Sequence, residues 1–236
     1  MLKFTHPTEF EGKYPDGWAG FTWLDFDSSA NSFHPGDDYN WGEYGDSDLG
    51  KPVYSITDGV VVYSGDDTVL YGKMVVIKHT LDTETRKFIK DNFGMDVPEI
   101  YSLYAHLLER NVAVGNKVNS GSLIGRVGKS GVTYAHLHVE LYRADLDLKD
   151  KPWRFYPIGW SKEMIVKNWI PVYQVIERFK NYQPPVDPYI AKFSQLKISI
   201  DRLKTETDAL NSQSDKKSAY ISTMTKVKKI SDIGSL

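Results

Sequence analysis

Short runs of alternating apolar and polar residues fill the chain up to about residue 145, and helical spacing takes over from Ser161. Pro52 to Tyr63 reads as two strands turning at Asp58-Gly59, a hairpin signal. Lys73–His79, 101–107 and His136–Tyr142 read as further strands. Residues 112–127 alternate small apolar pieces with Gly and Asn turns, a barrel- or sandwich-like meander. They loosely echo 50–61, as in folds built from two interlocked halves. Residues 1–33 read as a strap with short strands. The predicted class is mainly β: an antiparallel, hybrid-motif barrel-sandwich domain.

Two helical patterns interrupt or follow it. Phe88, Ile89 and Phe93 share one helical face, and Gly94 supplies a C-cap. Residues 81–99 are therefore expected to be a helical insertion, placed as a wall or lid above a site. Ser161 can N-cap Lys162–Trp169, which runs into Pro171, and Val172–Phe179 supplies another short helix. Gln183-Pro-Pro-Val-Asp-Pro188 breaks the chain as a linker would. Beyond it Phe193, Leu196, Ile200, Leu203, Thr207 and Leu210 repeat at 3-4 spacing. That run supports either a self-associating coiled coil or a lone amphipathic helix. The expected organisation is a domain over 1–182 with its core at 30–145, a linker at 183–188 and a helical tail at 189–236.

Composition narrows the function. The net charge of −2 in 236 residues leaves no nucleic-acid footprint, although the tail holds nine Lys/Arg against five Asp/Glu. Cysteine is absent, which excludes disulfides and thiolate chemistry. The first residues have no apolar h-region of a signal peptide, and no stretch reaches membrane-span length.

Six histidines remain, and four fall in three short strings: His34-Pro-Gly-Asp-Asp38, Tyr104-Ala-His106-Leu and His136-Leu-His138. Zinc takes imidazole and carboxylate donors, and a catalytic zinc keeps a position open for water. On a strand His136 and His138 share one face while Leu137, Val139 and Leu141 take the other. Two adjacent histidines on a polar face have no packing role. Pro35-Gly36 argues against a helix for His34 and Asp38, but a loop entering a strand can bring both to one ion; Asp37 is the neighbouring alternative. Tyr104 and His106 are also two apart and expected on one face. Glu140 follows His138 by two and could orient its imidazole. His79, ending a strand, has either a supporting or a structural role, and His6 has no catalytic part.

With their order and glycine frame, these strings resemble the lysostaphin-type (LytM-like) zinc metalloendopeptidases that act on peptidoglycan. The matching pieces run from His34-x-Gly36-x-Asp38 through Asp58-Gly-Val60, Ile77-Lys-His79 and Tyr104-Ala-His106-Leu. They continue with Val114-Gly-x-x-Val118, Gly128-x-Ser-Gly131 and His136-Leu-His138-Val-Glu140. The resemblance covers about 30–145. It implies Zn²⁺ held by His34, Asp38 and His138, with His106 and His136 beside a metal-bound water as acid and base in unassigned order. Tyr104, Glu140 and His79 would line the groove or support the ligands. The implied substrate is a peptide of the bacterial cell wall, cut at the envelope or outside the cell, the chain also fitting a phage-borne component. A non-catalytic relative that binds wall or activates an amidase is the alternative. A thermolysin arrangement is excluded, because no His-Glu-x-x-His string occurs.

Overall fold

Strand alternation divides the central sheet into two faces, one packed into the main core and one carrying the candidate site. The computed structural model describes residues 1–9, 20–28, 31–40, 45–67, 70–144, 161–180, 182 and 188–233. In chain order the strands are β1 (Phe26–Asp27), β2 (Ser32–Phe33), β3 (Asp37–Tyr39), β4 (Pro52–Tyr54), β5 (Gly59–Asp67) and β6 (Gly72–Thr80). They continue with β7 (Glu99–Ala105), β8 (Leu107–Arg110), β9 (Lys117–Val118), β10 (Leu123–Val127) and β11 (Leu137–Arg143). The helices are α1 (Thr83–Phe93), α2 (Lys162–Asn168), α3 (Val172–Lys180) and α4 (Pro188–Ile233). The chain divides into two compact units, Met1–Tyr182 and Gln183–Leu236.

In the first unit a six-stranded sheet runs β3-β11-β7-β6-β5-β9, a three-stranded sheet runs β4-β10-β8, and β1 pairs with β2. All the pairings are antiparallel. The domain is therefore mainly antiparallel β, as the alternation predicts. Val75 and Ile77 of β6, Ile100 and Tyr104 of β7, and Leu137, Val139 and Leu141 of β11 enter one core. Val53, Leu107, Ile124 and Val127 of the smaller sheet fill the same core. The alternate residues Met74, Val76, Leu103, Ala105 and Tyr142 face the other way and pack with Ile165 and Trp169. The two segments that echo each other in sequence meet as β4 and β10, with Tyr54 opposite Leu123.

Two expectations are corrected. Asp58-Gly59 does not turn a hairpin: β4 joins the small sheet and β5 the large one. Gly59 is needed for close approach, since a Cβ there would lie 2.6 Å from His79 Nδ1 and from Lys78 O. The α1 insertion forms as predicted, with Asp82 as N-cap and Gly94 in the left-handed region at φ 72°. It neither walls nor covers the site, however. Phe88 and Ile89 are its apolar pair and bury in the main core, against Phe179 and Tyr182, on the opposite face of the sheet. The chain start is also ordered by packing: Phe4 is in the core, and His6 is buried 2.8 Å from Glu177 Oε1.

The second unit consists of α4, 46 residues of unbroken helix. Ile200 and Leu203, two of its heptad positions, are exposed. Among the described residues no helix is long and apolar enough to cross a membrane.

Candidate metal centre

β3 lies beside β11, with Asp38 opposite His138 and Ala105 of β7 on the other side. That register puts one carboxylate and one imidazole on the site face. His34 arrives from the strap just before β3, held by its N–H donating to Asp25 O at 2.8 Å. His34 Nε2 lies 3.0 Å from His138 Nδ1 and 3.3 Å from Asp38 Oδ1. His138 Nδ1 lies 2.8 Å from Asp38 Oδ1. Donor atoms around a tetrahedral zinc at about 2.0–2.1 Å stand about 3.3 Å apart. The three atoms are therefore a few tenths of an ångström from that spacing, and the set fits a divalent ion.

The groups behind these donors decide their state. The Phe21 N–H donates to Asp38 Oδ2 at 3.3 Å, leaving Oδ1 for the histidines. Asp37, the neighbouring carboxylate, turns away: it accepts from Trp23 N–H (3.1 Å) and from Tyr173 N–H at the start of α3 (3.0 Å). That settles Asp38 as the acid of the cluster. Glu140, wholly buried, accepts from His138 Nε2 at 3.0 Å. With the Nε2 proton held by Glu140, a metal would take the place of the proton on Nδ1, the carboxylate–histidine–metal arrangement. Burial disfavours charge on His138, but the Asp38 and Glu140 carboxylates outweigh it and push its pKa up to about 10. For Asp38 burial works the other way, and the two histidines hold it well below the usual carboxylate range. The pocket thus demands positive charge at one point between these side chains.

His106 and His136 flank the cluster, their rings 4.7 Å apart centre to centre. His106 does not sit on a strand face. Its φ of 60° falls between β7 and β8 and swings the side chain out of the alternation that Tyr104 follows. Left-handed backbone costs a non-glycine residue about 1–2 kcal/mol. His106 Nδ1 donates to Ser130 O (3.0 Å) and His136 Nδ1 to Tyr134 O (3.0 Å). Both rings therefore leave Nε2 unprotonated toward the site. Burial lowers the pKa of both, His106 to about 3 with help from His136 and His138. Ser130 is itself fixed: its Oγ accepts from Lys73 N–H (2.7 Å) and donates to Leu107 O (2.9 Å).

These five side chains are brought together, but two others expected nearby are not. Tyr104 is fully buried in the main core, where its hydroxyl accepts from Ile56 N–H at 2.8 Å. It faces away from His106 because the strand breaks between them. His79 lies in the same core, its Nδ1 donating to Asp58 O (2.7 Å) and its Nε2 2.7 Å from Ser102 Oγ. Burial lowers its pKa to about 4. Sequence reasoning missed Tyr71 and Trp169, which donate to Glu140 at 2.5 and 2.8 Å. Neither lies within a motif spacing of the carboxylate they hold. The cleft above the cluster has a volume of about 190 Å³, with Phe21, Phe33, Leu70 and Val132 as apolar walls.

A largely buried His₂Asp cluster flanked by two further histidines, on an antiparallel β domain, is a donor set of the kind a metal-dependent hydrolase would use. Residues 38–150 match the family model of peptidase family M23, and the domain that holds the site belongs to that family. Among curated proteins the chain is 32% identical over 103 residues to the cell division protein DipM of Caulobacter vibrioides, covering 43% of this chain and 14% of that protein. It is 32% identical over 96 residues to a lipoprotein NlpD/LppB homolog of Pseudomonas aeruginosa, covering 40% of this chain and 26% of that one. The chain thus matches only a small part of these relatives' length. The catalytic domain of the antimicrobial peptidase lysostaphin from Staphylococcus simulans aligns with a TM-score of 0.38 and 26% identity, over 52% of this chain and 77% of that one.

Proposed function

We propose that this chain is a zinc-dependent endopeptidase that hydrolyses peptide bonds of bacterial cell-wall peptidoglycan. The observation that carries the reading is the convergence of His34, Asp38 and His138 on one point, with the Nε2 atoms of His106 and His136 left free beside it. Membership of a peptidase family supports it. When bound, zinc would lower the pKa of a water to about 7 and polarise the scissile carbonyl.

The chain's own residues do the rest. His106 and His136 are neutral at pH 7, so one Nε2 takes the proton of the attacking water and later returns it to the leaving amine. Ser130 O and Tyr134 O keep both rings in the required tautomer. The apolar walls at Phe21, Phe33, Leu70 and Val132 exclude water from the attacked carbonyl and strengthen each polar contact there. A wall-binding or amidase-activating protein would need none of these aimed nitrogens, and their retention favours catalysis.

The names of the matched relatives, a lipoprotein and a cell division protein, fit action at the cell envelope. The heptads of α4 fit self-association of this chain through 189–236.

The test is incubation of the zinc-loaded protein with purified walls of different cross-bridge chemistry, followed by mass analysis of released peptides. New amino termini that vanish with chelator and return with zinc are expected. Walls left intact by the zinc-loaded protein in every case would reject the reading.

A further inference from the structure

We infer that Trp169, far outside the metal-ligand motifs, is a positioning residue of the metal centre, and that α2 is thereby part of the site. The inference rests on the metal-site reading above and adds an element to it. Residues 38–150 carry the family match, and Trp169 lies beyond them. Its place is nevertheless fixed by the ligand strand itself. β3 pairs with β11 only over Leu137–Val139. Past that point Trp169 bridges Tyr142, and Ile170 N–H donates to Leu141 O at 2.9 Å. The segment after α2 thus continues the edge that β3 leaves open. Trp169 is fully buried and its ring lies 5.7 Å from that of Tyr142. In this seat its Nε1–H donates to Glu140 Oε2 at 2.8 Å.

Glu140 is wholly buried. Its Oε1 takes two donors, the Tyr71 hydroxyl at 2.5 Å and His138 Nε2 at 3.0 Å. Its Oε2 takes the indole N–H. A carboxylate held at one oxygen alone can rotate about its terminal torsion, which is a soft coordinate. Pinning Oε2 fixes the plane of the carboxylate and so the position of Oε1. Oε1 in turn sets the ring angle of His138 and keeps its proton on Nε2, with Nδ1 bare toward His34 and Asp38. The order of control is α2, Trp169, Glu140, His138, metal.

Two measurements on the full chain test this. Trp169→Phe keeps an aromatic ring in the core and removes the N–H together with part of the indole; Tyr71→Phe removes the other neutral donor and leaves its ring in place. Zinc affinity is read by competition with a chromophoric chelator, and imidazole ¹⁵N shifts report the tautomer of His138 with zinc and its Nε2–H without zinc. Wild type is expected to show His138 protonated at Nε2. Trp169→Phe is expected to show a mixture of tautomers and zinc binding weaker by about 10-fold, the lower end for loss of such outer partners. A tautomer unchanged in Trp169→Phe together with zinc affinity within twofold of wild type would overturn the inference. A wild-type chain that takes up no zinc would reject the metal-site reading instead. The metal-free His138 Nε2–H would then still decide the role of Trp169: its hydrogen-bonded resonance is expected to weaken in Trp169→Phe, and an unchanged resonance would overturn the inference.

Discussion

Replacing His79 with glutamine separates the two roles a histidine at the end of a metal-site strand can have. The imidazole is fully buried, donates to Asp58 O and faces Ser102, and has no contact with the donor cluster. Its pKa falls from an ordinary 6.5 to about 4 because burial disfavours the charged ring. Between those values the unfolded chain binds one more proton at this site than the folded chain does. Stability from this group therefore rises with pH by about 1.4 kcal/mol per unit and is lost as pH falls from 6.5 toward 4. Over the whole window the loss is about 3 kcal/mol, a large share of the ~5–15 kcal/mol that holds a domain folded. Glutamine cannot titrate, though it spans similar ground and can reach one of the two partners. His79→Gln should cost about 1–2 kcal/mol at pH 7 through an imperfect buried hydrogen bond. It should also remove this contribution to the acid slope, so the two proteins should cross at about pH 5–6, with the variant the more stable below that. The assay is urea denaturation at half-unit steps from pH 4 to pH 8 on chelator-treated protein, with zinc uptake measured in parallel. Equal acid slopes for variant and wild type, or loss of zinc by the variant, would refute the placement of His79 as a core residue.

Three further outcomes are expected. His136→Ala should still bind one zinc by plasma-emission analysis while wall-lytic activity drops by about 10²–10⁴-fold; full activity would contradict its proton-transfer role. Gly72→Ala should destabilise the first unit by about 2–5 kcal/mol in thermal or urea melts, because the residue has φ +59° and its Cβ would fall 2.2 Å from Ser130 O. A variant as stable as wild type would show that the loop bearing Ser130 gives way freely. Truncation after Tyr182 should leave a zinc-binding, active protein, since the first unit ends there; an unchanged oligomeric state in light scattering would count against self-association through α4.

What the sequence made readable follows the physics of each signal. His136-Leu-His138-Val-Glu140 is legible because strand period alone assigns faces, and the observed β11 obeys it, with Leu137, Val139 and Leu141 in the core. The same rule misplaces His106, because one left-handed residue resets the alternation and nothing in Tyr104-Ala-His106 announces it. Asp58-Gly59 has the letters of a turn, yet its glycine serves the close approach of His79. The C-cap of α1 was visible, but not its face of the sheet, since that depends on which core has room for Phe88. Trp169 and Tyr71 were out of reach because their partner Glu140 lies 29 and 69 residues away. Only a pairing of distant segments brings them to it.

The donors of the cluster are widely spread along the chain. His34 and His138 are 104 residues apart, Asp38 and His138 100 apart. Cysteine is absent, so no covalent tie spans that distance. An ion bound by these residues would act as a staple, closing a loop for which a cross-link takes about 4.7 kcal/mol of entropy from the unfolded chain. Chelation should then do more than silence a reaction: it should release the strap that walls the cleft and open this end of the domain to proteolysis.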